Sequence, residues 1–321
     1  MTGSLPAPAA AKAPAIPEVV AASGAAASYA WDEFFFAMVR NRHTKAAYLR
    51  AVRRFLNWLE PRSIPLQRVT AGMVGEYLDS LSSLSAPSRK VELAALRGWF
   101  DVLTRRHVVA FNPTTSVKGD RLQTTEGSTP EIAPAQARTL LNSIDRTTLV
   151  GQRDAAIIAC LAYTAARAGA IAGLTRGSLQ SDGTHFRLRF LEKNAKRRDI
   201  PVNSSFEKYL LDYVRAAGLA DAPAGSPLFR SADGKSGRLT SRPLGGGDIG
   251  RMVKRRLAAA GLPANLSPHS FRVAVATDLL KQSVLLEDVQ YLLGHSDPRT
   301  TRLYDRRQLE VTRNIVERIG I

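Results

Sequence analysis

Between Trp31 and Asn112, apolar residues recur every three or four positions, the spacing that places them on one face of an α-helix. Three stripes stand out: Tyr48, Val52, Phe55, Leu56 and Leu59; then Val74, Tyr77, Leu78 and Leu81; then Leu93, Leu96, Phe100 and Leu103. A helical domain over residues 29–112 follows. From Asn112 to Pro134 the periodicity stops, and Thr, Ser, Gly and Pro dominate, so residues 113–133 are expected to be a linker. Residues 1–28 are Ala- and Pro-rich with almost no charge and lack the basic start and unbroken apolar run of a signal peptide; a disordered tail is expected there.

The second half begins with helical patterns at Ala135–Ser143 and Arg153–Tyr163, the latter apolar almost all round. After Thr175 the period changes to two. Phe186, Leu188 and Phe190 alternate with Arg187 and Arg189 behind the turn signal SDGT, and RDIPV returns as a second strand after a KNAK tip. Helical spacing resumes at Asp248, with Ile249, Met252, Val253 and Leu257 inward and Arg251, Lys254 and Arg255 outward. A terminal stripe of Val311, Ile315 and Ile319 closes the chain. The predicted class is mainly α (α+β): a helical domain, then a mostly helical domain over residues 134–321 with one small antiparallel sheet.

Charge adds a partner to this picture. The 321 residues carry 45 Lys and Arg against 28 Asp and Glu, a net charge of +17, which attracts phosphate backbones at long range. From Arg40 to Arg121 there are 15 basic against 6 acidic residues, a surplus beyond what solubility needs. Any one of these cations reads equally well as part of a solvated helix face. As a group, Arg42, Lys45, Arg50, Arg53, Arg54, Arg89 and Lys90, with Lys196 in the second domain, are the candidate DNA contacts. No apolar run approaches a membrane span, and no aromatic RNA-binding signature is present. The single cysteine, Cys160, sits in the apolar run AAIIACLAY and reads as a core residue, so neither a disulfide framework nor a zinc site is expected. A cytoplasmic, nucleoid-associated protein fits.

The candidate chemistry lies between Leu266 and Tyr304. SPHSFR supplies His269 and Arg272, one turn apart on a helix that starts near Pro268, and LLGHSDP supplies His295. Cationic groups near a helix N-terminus make a phosphate site. Nine positions beyond His295 stands Tyr304, whose phenol can attack phosphorus if its proton is removed and the transition-state charge is neutralised. Further cations are therefore needed. YTAARAGAIAGLT offers Arg167, and FLEKNAKRRDIPV offers Lys193 at a hairpin tip.

The order Arg167, Lys193, His269, Arg272, His295, Tyr304 resembles that of the tyrosine site-specific recombinases, the phage-integrase and Xer-like enzymes. HSFR is similar to the family's H-x-x-R, LLGHSDPRTTRLY to its L-G-H with a tyrosine nine residues on, and EKNAKRRDIPV to its lysine hairpin ending in proline. Counting back from Pro201 in that hairpin pattern selects Lys193 over Lys196. One position departs: where the family has an acid three residues after its first arginine, this chain has Ala170, and Ala165 and Ala166 stand where Gly and Leu are common. Taken singly, Arg167 could be a surface cation, His269 a helix-cap residue and Tyr304 a core aromatic. Six such residues in matching order and context point to one site.

The resemblance implies a helical core-binding domain followed by a catalytic domain that together clamp duplex DNA. It implies that Arg167 and Arg272 hold the non-bridging phosphate oxygens, that His295 donates to them, that His269 takes the tyrosine proton, that Lys193 protonates the leaving 5′ oxygen and that Tyr304 is the nucleophile. Arginine charge takes the place of a metal, and no cofactor is expected. The partner is double-stranded DNA with paired recombination sites, bound by a homotetramer, with or without a second recombinase or accessory protein. The C-terminal stripe would dock on a neighbouring subunit. Two alternatives stay open at the level of sequence: a type IB topoisomerase-like relaxing activity, and a DNA-binding accessory or regulatory protein with weak catalysis, which Ala170 keeps open.

Overall fold

The computed structural model describes residues 15–120, 129–191, 197–234, 236–295, 297–302 and 304. The chain divides into two compact units, with the boundary between residues 123 and 124.

The first unit contains helices α1 (Glu18–Ala22), α2 (Ala25–Asp32), α3 (Arg42–Leu59), α4 (Ala71–Ser80) and α5 (Ala86–Arg105), with a π-helical segment at Glu33–Met38. Local signals fix the starts. The Asn41 side chain accepts from the N–H groups of His43 (2.9 Å) and Thr44 (3.2 Å), and Thr70 accepts from Met73 at 3.3 Å, so both helices open with capped donors. The predicted stripes face one core: Val52, Phe55, Leu56 and Leu59 meet Leu93, Leu96, Phe100 and Leu103, with Val74 and Tyr77 beside them. Trp31, Phe35 and Trp99 complete an aromatic cluster. One carboxylate sits inside it. Glu92, 6% exposed, accepts from Arg54 at 2.5 Å and from the Tyr77 hydroxyl at 2.9 Å, which satisfies both oxygens.

Two expectations are corrected here. The tail expected over residues 1–28 is helical from Glu18, because Val20 and Ala27 are fully buried in the first unit's core; an Ala-rich segment with little charge packs as readily as it solvates. The linker expected over residues 113–133 is folded at both ends. Thr114 is buried, Val117 packs on the first core and Asp120 pairs with Arg89, while Ile132 is buried in the second unit and donates its N–H to Ser270 O.

The second unit comprises α6 (Pro134–Asn142), α7 (Leu149–Thr164), α8 (Ala168–Ala172), β1 (Leu179–Ser181), β2 (Phe186–Leu191), β3 (Arg197–Pro201), α9 (Ser204–Ala216), β4 (Arg230–Ala232), β5 (Leu239–Pro243), α10 (Gly246–Ala259), α11 (Pro268–Lys281), α12 (Leu286–Leu293) and α13 (Pro298–Arg302). Helix α7 is the central rod, buried along most of its length, as its unbroken apolar run requires. Strands β1, β2 and β3 form an antiparallel sheet with Leu188 opposite Ile200 and Phe190 opposite Arg198. Leu188 and Phe190 point into the core, and Arg189 points out to a two-bonded pair with Asp199 (2.8 and 2.7 Å). Sequence spacing missed helix α9, whose Asn203 cap and buried Phe206, Leu210, Tyr213 and Val214 have the ordinary helical period. It also missed the β4–β5 hairpin, two short strands without a buried alternation.

Helices α8 and α10 approach backbone to backbone. A Cβ on Gly246 would stand 3.1 Å from the Gly169 Cα, so a larger residue there would push the two helices apart by a few tenths of an ångström. Behind it lies a buried ion cluster: Asp154 on α7, fully buried, accepts from Arg153 (3.0 and 2.7 Å) through one oxygen and from Arg256 of α10 (3.0 and 2.8 Å) through the other. This cluster fixes α7, whose C-terminus leads directly into the candidate site.

Candidate functional site

Helix α7 ends at Ala165, which adopts the left-handed conformation (φ 50°) and turns the chain so that Arg167 becomes the N-terminal flank of α8. The Ala165 carbonyl accepts from Nη1 of Arg272 at 2.7 Å. Arg272 lies one turn into α11, 1% exposed, and its Nη2 donates to Leu293 O at 2.5 Å and meets Nε2 of His295 at 2.7 Å. These contacts occupy three of the five guanidinium donors and fix the plane of the fork. Burial, with Arg167 beside it, lowers the Arg272 pKa to about 10, while Tyr304 acts in the opposite sense as a hydrogen-bond partner. It remains a cation at neutral pH.

His295 is placed by the end of α12. Gly294 takes the left-handed cap position (φ 64°), the His295 N–H returns to Gln290 O at 3.1 Å, and the Gln290 side chain donates to His295 O at 3.1 Å. The ring then spans two partners, Arg272 at Nε2 and the Thr301 hydroxyl, 2.8 Å from Nδ1. Burial and the surrounding cations, Arg272 first and then Arg167, lower its pKa to about 3. His269, in the first turn of α11, is lowered in the same way by burial and by the same two arginines. Both imidazoles are therefore neutral at physiological pH.

Tyr304 follows the short helix α13 and is 6% exposed. Its N–H bonds to Thr301 O (3.0 Å), its carbonyl accepts from Thr277 Oγ1 (3.4 Å), and its ring stacks on His295 at 5.8 Å with planes 6° apart. The phenol oxygen stands 3.3 Å from Nε2 of His269. A neutral imidazole that faces a phenol can accept its proton.

Five of the six predicted residues are thus in one place. Arg272, His295, Tyr304 and His269 touch in sequence, and Arg167 is close enough to influence the protonation of three of them. Lys193, with Lys196, lies outside the described residues. Two further residues at the site carry no signal in the sequence reading: Thr301, and Arg198 of β3. Arg198 occupies a core position of the strand, lies over the Phe190 ring at 5.4 Å and donates to Leu292 O. Adjacent carbonyls of the last turn of α12 therefore hold two guanidiniums, where the helix dipole favours positive charge.

The candidate DNA contacts of the first unit behave less uniformly. Arg42, Arg50 and Lys90 are exposed, and Lys45 lies over the Phe36 ring at 5.0 Å. Arg53 donates to Ala15 O, Arg54 pairs with Glu92, and Arg89 makes a two-bonded pair with Asp120. These last three have structural partners inside their own unit. Among the described residues no helix is long and apolar enough to cross a membrane.

Residues 131–310 match the phage integrase family, and residues 31–107 match the SAM-like N-terminal domain of phage integrases. Tyrosine recombinase XerD of Pseudomonas putida is 30% identical over 268 residues, covering 82% of this chain and 86% of that protein. The fold is shared with the XerH site-specific recombinase bound to palindromic difH substrate (TM-score 0.65, 19% identity, 81% of this chain and 75% of that one). It is shared also with a lambda integrase tetramer bound to a Holliday junction (TM-score 0.65, 15% identity, 89% and 80%). The site's geometry, the two family matches and the XerD relationship agree: this chain belongs to the phage integrase family of tyrosine recombinases, enzymes that break and rejoin DNA strands in site-specific recombination.

Proposed function

We propose that recombination by this chain runs through a 3′-phosphotyrosyl intermediate formed by Tyr304. The single observation that carries the reading is the 3.3 Å contact between the Tyr304 hydroxyl and Nε2 of a neutral His269, beside the Arg272 guanidinium. His269 takes the phenolic proton as the oxygen attacks phosphorus. Arg167 and Arg272 neutralise the non-bridging oxygens, and Lys193 gives a proton to the departing 5′ oxygen. The freed 5′ hydroxyl of a partner strand then attacks the phosphotyrosine, restores the phenol and joins the strands as a Holliday junction. Residues 29–112 act as the core-binding domain and residues 134–321 as the catalytic domain.

Four protomers on two paired sites are the proposed assembly; the lambda integrase tetramer on a Holliday junction supports the number of protomers. The C-terminal stripe proposed to dock between subunits lies outside the described residues. The role of Tyr304 is tested with duplexes tiled across the DNA that flanks the gene. The wild-type chain is expected to leave an SDS-resistant adduct on the duplex that contains its site. Tyr304→Phe is expected to bind that duplex with unchanged affinity and leave no adduct, and an adduct formed by the variant overturns the assignment.

A further inference from the structure

His295 is held at both ring nitrogens, and its two partners are chemically unequal. Guanidinium N–H groups only donate, so Nε2, 2.7 Å from Arg272 Nη2, has to accept. A neutral imidazole carries one N–H, which then lies on Nδ1 and points at Thr301 Oγ1, 2.8 Å away. A phosphate oxygen has the opposite demand. It only accepts, so a neutral His295 that serves such an oxygen must carry its proton on Nε2 and leave Nδ1 as an acceptor. Of the two ring partners, only the hydroxyl can suit both forms, because it both donates and accepts.

We propose that Thr301 is a positioning residue for His295: its hydroxyl accepts from Nδ1 when Nε2 faces Arg272 and donates to Nδ1 when Nε2 donates to a phosphate oxygen. Between the two forms the ring loses a proton at Nδ1 and gains one at Nε2, both exchanged with water, so its net charge is unchanged. Three further features fit this role. Thr301 is fully buried, which makes exchange of the Nδ1 proton with water slow. Its backbone carbonyl accepts the Tyr304 N–H at 3.0 Å, which places the tautomer partner and the nucleophile on one turn of chain. The Tyr304 ring also stacks on the His295 ring, so a tilt of the imidazole would move the phenol.

The inference rests on the catalytic reading above, and its test separates the two. Thr301→Val keeps the β-branched shape and removes the hydroxyl, whereas Thr301→Ser keeps the hydroxyl. In ¹⁵N-histidine NMR of the full chain without DNA, His295 is expected to be an Nδ1–H tautomer with a slowly exchanging proton in the wild type and in Thr301→Ser. Thr301→Val is expected to lose that slow proton. On the duplex that traps the wild-type chain, Thr301→Val should form adducts about tenfold more slowly with unchanged DNA affinity, the size of effect seen when a metal-binding histidine loses its outer hydrogen-bond partner, and Thr301→Ser should restore the rate.

A Thr301→Val chain that keeps both the slow proton and the wild-type rate overturns the proposal. So does a wild-type His295 that carries its proton on Nε2, a measurement that stands even if the valine variant does not fold. If the NMR result is as expected while no duplex traps the wild-type chain, it is the phosphotyrosyl reading that fails.

Discussion

Replacement of His295 by glutamine should flatten the acid side of the chain's stability profile. In the folded chain burial and the neighbouring Arg272 and Arg167 lower the His295 pKa from 6.5 to about 3. The unfolded chain therefore binds a proton at His295 between those two values while the folded chain does not, so stability falls as pH falls through this window. At about 1.4 kcal/mol per unit the whole displacement corresponds to about 5 kcal/mol, and the part between about pH 7 and pH 5 to about 2 kcal/mol. His269, displaced in the same direction, adds to the slope with the same sign and is present in both chains.

Urea denaturation of the wild type and His295→Gln without DNA, at about pH 7 and pH 5, isolates the contribution. The glutamine chain can be less stable at both values, because it loses the ring contacts. The expected signature is the difference in slope, with the wild type losing about 2 kcal/mol more than the variant over the interval. Asp182, held below the usual carboxylate range by backbone N–H groups of His185 and Thr184, and Asp199, held there by Arg189, lose their stabilisation only at lower pH and equally in both chains. Equal losses in the two chains would refute the reasoning, since His295 would then titrate alike folded and unfolded. A gain in wild-type stability on acidification would reverse its sign.

Two further predictions address the scaffold. Ala165→Gly should leave stability in thermal denaturation within about 1 kcal/mol of the wild type, because relief of the φ 50° conformation offsets the loss of a fully buried methyl; a loss above about 2 kcal/mol would show that packing of the methyl outweighs the strain. Asp154→Ala should cost about 3–5 kcal/mol, since Arg153 would remain buried without its carboxylate, and apolar replacement of Arg153, Asp154 and Arg256 together should recover much of it; a loss below about 1 kcal/mol would mean that the cluster relaxes or hydrates.

The helical stripes of the first unit and the strand alternation of β2 were legible because burial there follows a simple period. Helix α9 has the same period, with Phe206, Leu210, Tyr213 and Val214 buried on one face. The folded ends of the tail and linker have no such local signature. Composition reports what a segment can bury on its own, whereas Val20, Ala27, Val117 and Ile132 are buried by surfaces that other segments supply. No local pattern encodes those surfaces.

The site divides along the same line. Arg167, His269, Arg272, His295 and Tyr304 were legible because the chemistry demands particular side chains. The groups that aim Arg272 and His295 are the carbonyls of Ala165 and Leu293, which every residue type possesses, and the hydroxyl of Thr301, one among many in the chain; the Leu292 carbonyl holds Arg198 in the same way. Their function arises from position at the ends of α7 and α12, where carbonyls lack partners within the helix and collect cations instead. A guanidinium held in this way by backbone is insensitive to the identity of the residues that hold it. This explains how Ala165 and Ala166 can stand where the family has Gly and Leu while the Arg272 fork still finds its carbonyl. The same argument does not extend to Ala170, because a carboxylate acts through its side chain and no backbone group at that position can take its place. The described partner of the His269 ring is the Tyr304 hydroxyl, and its backbone is set by the first turn of α11.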